Sequence, residues 1–246
     1  MEASNRALLE SGLRAYGLEP SPESVGAVIK HLEMVVDWNQ RVNLTAITEE
    51  REMVIKHVLD SAAVLQFLVP RKNMRVMDVG TGAGFPGVTL KCLAPELSVV
   101  LLESLAKRCK FLEAVGAEVI EPLVGGLGGF QVVWSRAEDA GRAAAHREQY
   151  DLVTARAVAE LRVLAEYCMP FVRVGGRFVA MKGPGVSEEL ASAKRSIEIL
   201  GGRIIETREV ALPYEAGTRT LVAVEKVAAT PGAYPRKAGT PAKSPL

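Results

Sequence analysis

The stretch Val76-Met-Asp-Val-Gly-Thr-Gly-Ala-Gly-Phe-Pro-Gly87 constrains this chain more than any other, because glycines at alternate positions after a β-rich run suit a strand-to-helix turn whose backbone a ligand can approach. Such a turn belongs to a βαβ unit, and the rest of the chain has that rhythm. Short β-rich runs at Arg75–Val79, Ser98–Leu102, Gln131–Arg136, Asp151–Arg156, Arg177–Met181, Arg203–Val210 and Leu221–Lys226 are separated mostly by helical patterns. Only the loop LPYEAGTR joins the last two, too short for a crossover, so they should pair antiparallel. The expected fold is α/β: a seven-stranded, mostly parallel sheet with an antiparallel last strand.

Residues 1–72 show helical spacing alone, with Leu8, Leu9, Leu13 and Tyr16 on one stripe and Val25, Val28, Ile29, Leu32, Val35 and Val36 on another, and form a helical N-terminal extension. Residues 73–228 carry the sheet. Residues 229–246 contain proline, lysine and arginine but no acid, and read as a basic, extended, mobile arm. The glycine-rich segment Glu121–Phe130 reads as a loop. Charge is nearly balanced, 30 Lys and Arg against 29 Asp and Glu, so composition neither requires nor excludes a nucleic-acid partner. No apolar run approaches the roughly 20 residues of a membrane span, and the three cysteines suit packing rather than a disulfide framework. A cytoplasmic protein without a membrane partner is expected.

Residues 82–87 match G-x-G-x-x-G, which alone would suit a dinucleotide. Asp78 argues otherwise: a carboxylate beside the loop would repel a pyrophosphate but attract the cationic amino-acid moiety of S-adenosylmethionine. Asp78, Gly80, Gly82, Gly84 and Phe85 are therefore expected cofactor contacts, with Asp78→Ala weakening the cofactor and sparing the fold. Glu103, ending the second strand, is placed to accept from ribose hydroxyls, with Ser104 and Leu105 beside it. Ala137 and Glu138 follow the third strand where such folds meet adenine, and Arg156 ends the fourth at the mouth of the site. These features make the fold Rossmann-like, of the class I S-adenosylmethionine-dependent methyltransferase type.

Further motifs narrow the reading. Asn43-Leu44-Thr45, His57 with Asp60-Ser61, DVGTGAGFPG, LLESLAKRCKFLEAV, SRAED, ARAVAEL, MKGP and YPRKAGTPAKSPL occur in this order between about Asn39 and Leu246. In them the chain resembles the bacterial 16S rRNA guanine-N7 methyltransferases, the family also called glucose-inhibited division protein B. No family pattern stands out between Gly116 and Phe130. The resemblance implies methyl transfer to N7 of one guanosine near the decoding region, with 16S rRNA or the 30S subunit as partner; a monomer is expected, though the sequence does not resolve the oligomeric state. It assigns Asn43, His57, Lys182, Arg236 and Lys237 to the substrate and puts Arg156 and Lys182 at the reacting end. The cations would neutralise RNA phosphates. Guanine N7 has a free lone pair, so alignment suffices and no general base is needed. His57 also fits a hydrogen-bonded joint between the helical extension and the sheet, and Asn43 a cap. Only 5% of residues are aromatic, which argues against extensive base stacking. Two other readings stay open at this level: a non-catalytic ribosome-binding protein on this fold, and a nucleotide-dependent oxidoreductase.

Overall fold

Successive side chains of a strand point to opposite faces, and a parallel sheet buries both, so its central strands must be apolar throughout. The computed structural model describes residues 2–126 and 128–246 and shows this pattern. The strands are β1 (Arg75–Val79), β2 (Ser98–Glu103), β3 (Phe130–Trp134), β4 (Tyr150–Arg156), β5 (Val172–Lys182), β6 (Gly202–Ala211) and β7 (Thr218–Lys226). They form one sheet in the order β3-β2-β1-β4-β5-β7-β6. The first five run parallel, and β7 lies antiparallel between β5 and β6. Strand β5 starts earlier than its apolar core suggests, at Val172, because its register with β4 shifts between Tyr150 and Leu152 and pairing resumes beyond it.

The helices are α1 (Ala3–Ala15), α2 (Pro22–Asn39), α3 (Glu50–Met53), α4 (Asp60–Ala62), α5 (Gly87–Leu93), α6 (Ala106–Val115), α7 (Glu121–Val124), α8 (Ala137–Ala140), α9 (Leu161–Cys168), α10 (Ser187–Ile199) and α11 (Thr240–Lys243). A wider π turn, Val54–Leu59, joins α3 to α4, and a 3₁₀ segment, Ala63–Phe67, follows. Part of the expected Glu121–Phe130 loop is therefore helical, as α7, which Gly125 ends in the left-handed conformation. Leu127 lies outside the described residues.

One sheet face, with Val76, Val99, Leu101, Leu152 and Val179, shares a core with Leu9 and Leu13 of α1 and Val28, Leu32 and Val35 of α2. The other, with Met77, Val100, Leu102, Val153 and Phe178, packs under Leu164 and Cys168 of α9 and Ala193 and Ile197 of α10. Burying a Leu or Val side chain contributes about 1.5–3 kcal/mol, so the N-terminal helices are held as firmly as the helices between strands. Cys92, Cys109 and Cys168 are buried and free.

The last residues are not an extended arm. Thr230 is buried, its N–H donates to Glu148, and the Arg147 guanidinium reaches the carbonyls of Thr230 and Tyr234. At the end, Ser196 Oγ donates to the Leu246 carbonyl. A proline-rich segment cannot satisfy its own peptide groups through regular structure, and here side chains fixed on the domain do it instead. Among the described residues, no helix is long and apolar enough to cross a membrane.

Candidate active site

In an open α/β sheet, ligands bind beyond the carboxyl ends of the strands where the strand order reverses. Here that point lies between β1 and β4, which end at Asp78-Val79 and Ala155-Arg156. Two clefts open there, on either side of the segment that follows β4.

The glycine loop after β1 is knotted by Asp78. This residue is fully buried, and its Oδ2 accepts from Thr81 Oγ1 at 2.6 Å and from the Gly87 N–H at 2.8 Å. Burial pushes its carboxyl up to about 6, against the opposing pull of those hydrogen bonds and of Arg156. The Asp78 carboxylate is therefore turned into the loop and not into the cleft, where the sequence led to the expectation of a cofactor contact. A carboxylate at the buried end of a strand needs donors, and the loop itself supplies them, one from each end. The loop is shaped accordingly. Gly80 has φ +70, and a Cβ there would stand 2.8 Å from Val158 Cγ2. Gly82 has φ +59, its Cβ position meets no atom within 4 Å, and its N–H donates to Glu103 Oε2 at 3.0 Å.

The first cleft, of about 260 Å³, is lined by Val79, Gly80, Leu102, Ser104, Ser135, Arg136, Ala137, Glu138, Val158, Tyr167, Gly239 and Ala242. Of the expected cofactor contacts, Gly80, Ser104, Ala137 and Glu138 come together here. Glu103 borders it with a nearly buried carboxylate that accepts from Gly82, Ser104 and Leu105 N–H, three of roughly four acceptor positions. Gly84 and Phe85 face away. The Cβ position of Gly84 points at Val88 and His31. The Phe85 ring is buried between His57 at 4.7 Å and His31 at 4.8 Å, with the Arg156 guanidinium 5.4 Å from its centroid. Phe85 thus fastens the loop to the N-terminal helices, because an aromatic ring flanked on these sides has its apolar area already covered.

The tail supplies the far wall of this cleft, through Gly239 and Ala242. Two bonds seat it. The Gly239 N–H donates to Glu138 Oε1 at 2.8 Å, and Arg236 grips Glu166 of α9 through its Nε, its Nη2 and its own N–H. Glu166 is 1% exposed. Arg236, expected to reach RNA phosphate, is instead a structural anchor, since a buried carboxylate must be paired. Lys237 is exposed.

The second cleft, of about 330 Å³, is lined by Lys56, His57, Asp60, Arg156, Ala157, Met181, Lys182, Gly183 and Arg219. Its centre is Asp60, almost fully buried, whose Oδ2 accepts from Arg156 and Oδ1 from Arg219, each at 3.1 Å. Arg156 also donates to the Lys56 carbonyl at 3.1 Å, an acceptor that the π turn leaves out of the ordinary helical ladder. Its Nη2 lies 3.3 Å from His57 Nδ1. A guanidinium only donates, so Nδ1 accepts and the His57 proton sits on Nε2, donated to Thr45 Oγ1 at 2.8 Å. Burial, then the Arg156 charge, press the imidazole down to about 3, so His57 stays neutral. Lys182 ties the segment after β4: its Nζ donates to the Ala159 carbonyl at 3.0 Å and pairs with Glu189 at 2.6 Å, while Glu189 also accepts from the Leu161 N–H.

Asn43 is exposed and does not cap the following segment. That part is taken by Asn39, four residues earlier, whose Oδ1 accepts from the N–H groups of Leu44 and Thr45. Sequence reasoning also passed over Arg219, Glu189, Glu166, Tyr167 and Thr81. Thr81, between two of the loop glycines, carried a local signal. The others are ordinary surface residues until the fold brings them to the site.

A family model described as rRNA small subunit methyltransferase G matches residues 25–215. A Symbiobacterium thermophilum protein named ribosomal RNA small subunit methyltransferase G is 62% identical over 241 residues, covering 98% of each chain. One of the same name from Acetivibrio thermocellus is 44% identical, covering 100% of this chain and 98% of its own. Among solved structures, a 16S rRNA (adenine(1408)-N(1))-methyltransferase from Catenulisporales acidiphilia aligns with a TM-score of 0.53 at 19% identity, over 65% of this chain and 88% of that one, a likeness in fold alone.

Proposed function

Because the chain belongs to the GidB family of rRNA small subunit methyltransferases, we propose that it moves the methyl group of S-adenosylmethionine to N7 of one guanosine in 16S rRNA, near the decoding region. Family membership makes it an rRNA methyltransferase and removes the oxidoreductase reading. The observation that carries the finer reading is the pairing of two clefts across one short segment: Val158 lines the first and Ala157 the second.

The first cleft fits the cofactor. Gly82 has open space where any other residue would place a Cβ, Glu138 offers a carboxylate in the lining with Glu103 keeping one acceptor position at the border, and Ala137 and Ala242 offer apolar wall. S-adenosylmethionine bound there supplies an electrophilic methyl group. Gly80, Ser104, Glu103, Ala137 and Glu138 would hold it. Asp78 acts one step behind them, through the shape of the loop.

The second cleft fits RNA. Lys56, Arg156, Lys182 and Arg219 face it against Asp60, Glu52 and Glu189, so cations exceed the carboxylates paired with them. An excess of cations attracts phosphodiester backbone and makes binding salt-dependent. The groups of the cleft that could remove a proton are engaged: both oxygens of Asp60 accept from guanidiniums, His57 has both ring nitrogens bonded, and Lys182 is ion-paired. That suits an acceptor with a free lone pair, such as guanine N7, where orientation is the whole contribution of the protein. Arg156 and Lys182 position the segment between the clefts.

The test is to incubate the protein with radiolabelled S-adenosylmethionine and 30S subunits from a strain lacking this gene, then map the label. One 7-methylguanosine in 16S rRNA is expected. Label on another base or atom would refute the N7 assignment.

A further inference from the structure

One residue near the first cleft has no part in the site so far described. Trp134, the last residue of β3, is 69% exposed. A tryptophan ring carries a large apolar surface that proteins ordinarily bury, and leaving it in water forgoes that gain. Nor does the ring hang loose. Its Nε1 donates to the Ser104 carbonyl at 3.0 Å, which satisfies its single polar atom and fixes the indole over the turn between β2 and α6. An aromatic plane held in place and left uncovered is organised to receive another plane.

Its surroundings state which kind. Ser104, which accepts from the ring, and Ser135, the next residue in the chain, both line the first cleft, so the indole stands at its rim. Arg136, two residues along the chain, and Lys107, three residues beyond the Ser104 that holds the ring, are exposed, and Leu105 adds a 53% exposed apolar side chain. Glu103, the register partner of Trp134 on β2, is turned inward onto backbone N–H groups, and Asp139, five residues along the chain, is an exposed acid. A flat apolar plane among cations matches an unpaired nucleobase with its phosphates. An enzyme that acts on a base must take it out of its stack, which strips the neighbouring bases of a stacking partner.

Resting on the reading of the chain as an rRNA methyltransferase, we infer that Trp134 is a stacking platform for an unpaired base of the substrate RNA, on the β3 side of the first cleft. It is one platform, compatible with the few aromatic residues of the chain.

The test compares the wild-type protein with Trp134→Ala and Trp134→Phe, using 30S subunits in a methylation assay and S-adenosylhomocysteine in calorimetry. Trp134→Ala should raise KM for the subunit roughly 5- to 150-fold, as loss of one base–aromatic stack does. Its affinity for S-adenosylhomocysteine and its melting temperature should not change, and Trp134→Phe should recover most of the loss. The chain has two tryptophans, so in a Trp38→Phe background the Trp134 fluorescence should be quenched by 16S rRNA. An unchanged KM in Trp134→Ala, with wild-type methylation intact, overturns the inference and leaves the function standing. An equal fall in cofactor affinity overturns it too, by making the ring part of the cofactor wall. If the wild-type protein methylates no rRNA, it is the functional reading that fails.

Discussion

Replacing Arg236 with alanine separates two roles for the tail that sequence could not distinguish. The side chain makes three close contacts with Glu166, Nε to Oε1 at 3.0 Å, Nε to Oε2 at 3.1 Å and Nη2 to Oε2 at 2.6 Å. Glu166 is 1% exposed and the Arg236 side chain 25%. Breaking a fully buried ion pair by removing one partner costs about 3–5 kcal/mol. Here the guanidinium is partly wet and Glu166 keeps the backbone N–H of residue 236 at 2.7 Å, so a cost of about 2–3 kcal/mol is the better figure. That multiplies the unseated fraction of the tail by roughly 30 to 150. An unseated tail takes Gly239 and Ala242 out of the first cleft, and apparent affinity falls in proportion to the fraction of protein that keeps the tail seated. Calorimetry with S-adenosylhomocysteine should show this loss, limited trypsin digestion should cut sooner at Lys237 or Lys243, and Arg236→Lys, which keeps the charge without the fork, should fall between. The opposite pattern would refute the reasoning: unchanged cofactor affinity, with weaker 30S binding and a shallower salt dependence, would make the tail an RNA arm.

Three further outcomes follow from buried groups. Asp78→Ala orphans the Thr81 hydroxyl and the Gly87 N–H and should cost about 2–4 kcal/mol of folding stability, whereas Asp78→Asn keeps an acceptor and should stay folded; equal urea midpoints for the two would show that the knot does not matter. The same residue enters the pH dependence. His31 and His57 are pressed to about 4 and about 3, so their contribution is complete above 6.5 and drains away as pH falls. Asp78, raised to about 6, contributes in the opposite sense, gaining as pH falls below that. Between pH 6 and 5 the unfolded chain therefore binds about one net proton more, and stability should drop by about 1.4 kcal/mol per pH unit, doubling in Asp78→Asn; urea titrations that show no such difference would count against the buried assignments. Finally, Lys182→Ala frees Ala159 and Glu189 and should cut kcat/KM on 30S subunits about tenfold, near 1.4 kcal/mol, with cofactor affinity unchanged; full activity would remove Lys182 from the mechanism.

The sheet was legible because its signals are local. Apolar runs such as Val99 to Leu102 and Phe178 to Met181 report a strand covered on both faces, and the short loop before Thr218 forces β6 and β7 antiparallel, whatever the rest of the chain does. The N-terminal helices were legible for the same reason, through the spacing of Leu9, Leu13, Val28 and Val35. Where one residue pairs with its near neighbours, the sequence holds both partners in view.

The site was legible only as a set of places, since what its charges do depends on partners far along the chain. Arg156 meets Asp60 across 96 residues, Arg236 meets Glu166 across 70, and Gly239 meets Glu138 across 101. A charge at the end of a buried strand or in a tail motif must be answered by something, but a ligand and a distant side chain answer it equally well, and the motif reads the same in either case. Asp78 shows the ambiguity most sharply. A carboxylate ahead of three glycines argues for a cationic ligand by charge alone, yet the Thr81 hydroxyl and the Gly87 N–H meet that charge from within the loop. Asp78 is spent on the shape of the loop, Glu103 accepts from the Gly82 N–H at the cleft's border, and Glu138 is the carboxylate that lines the cleft itself.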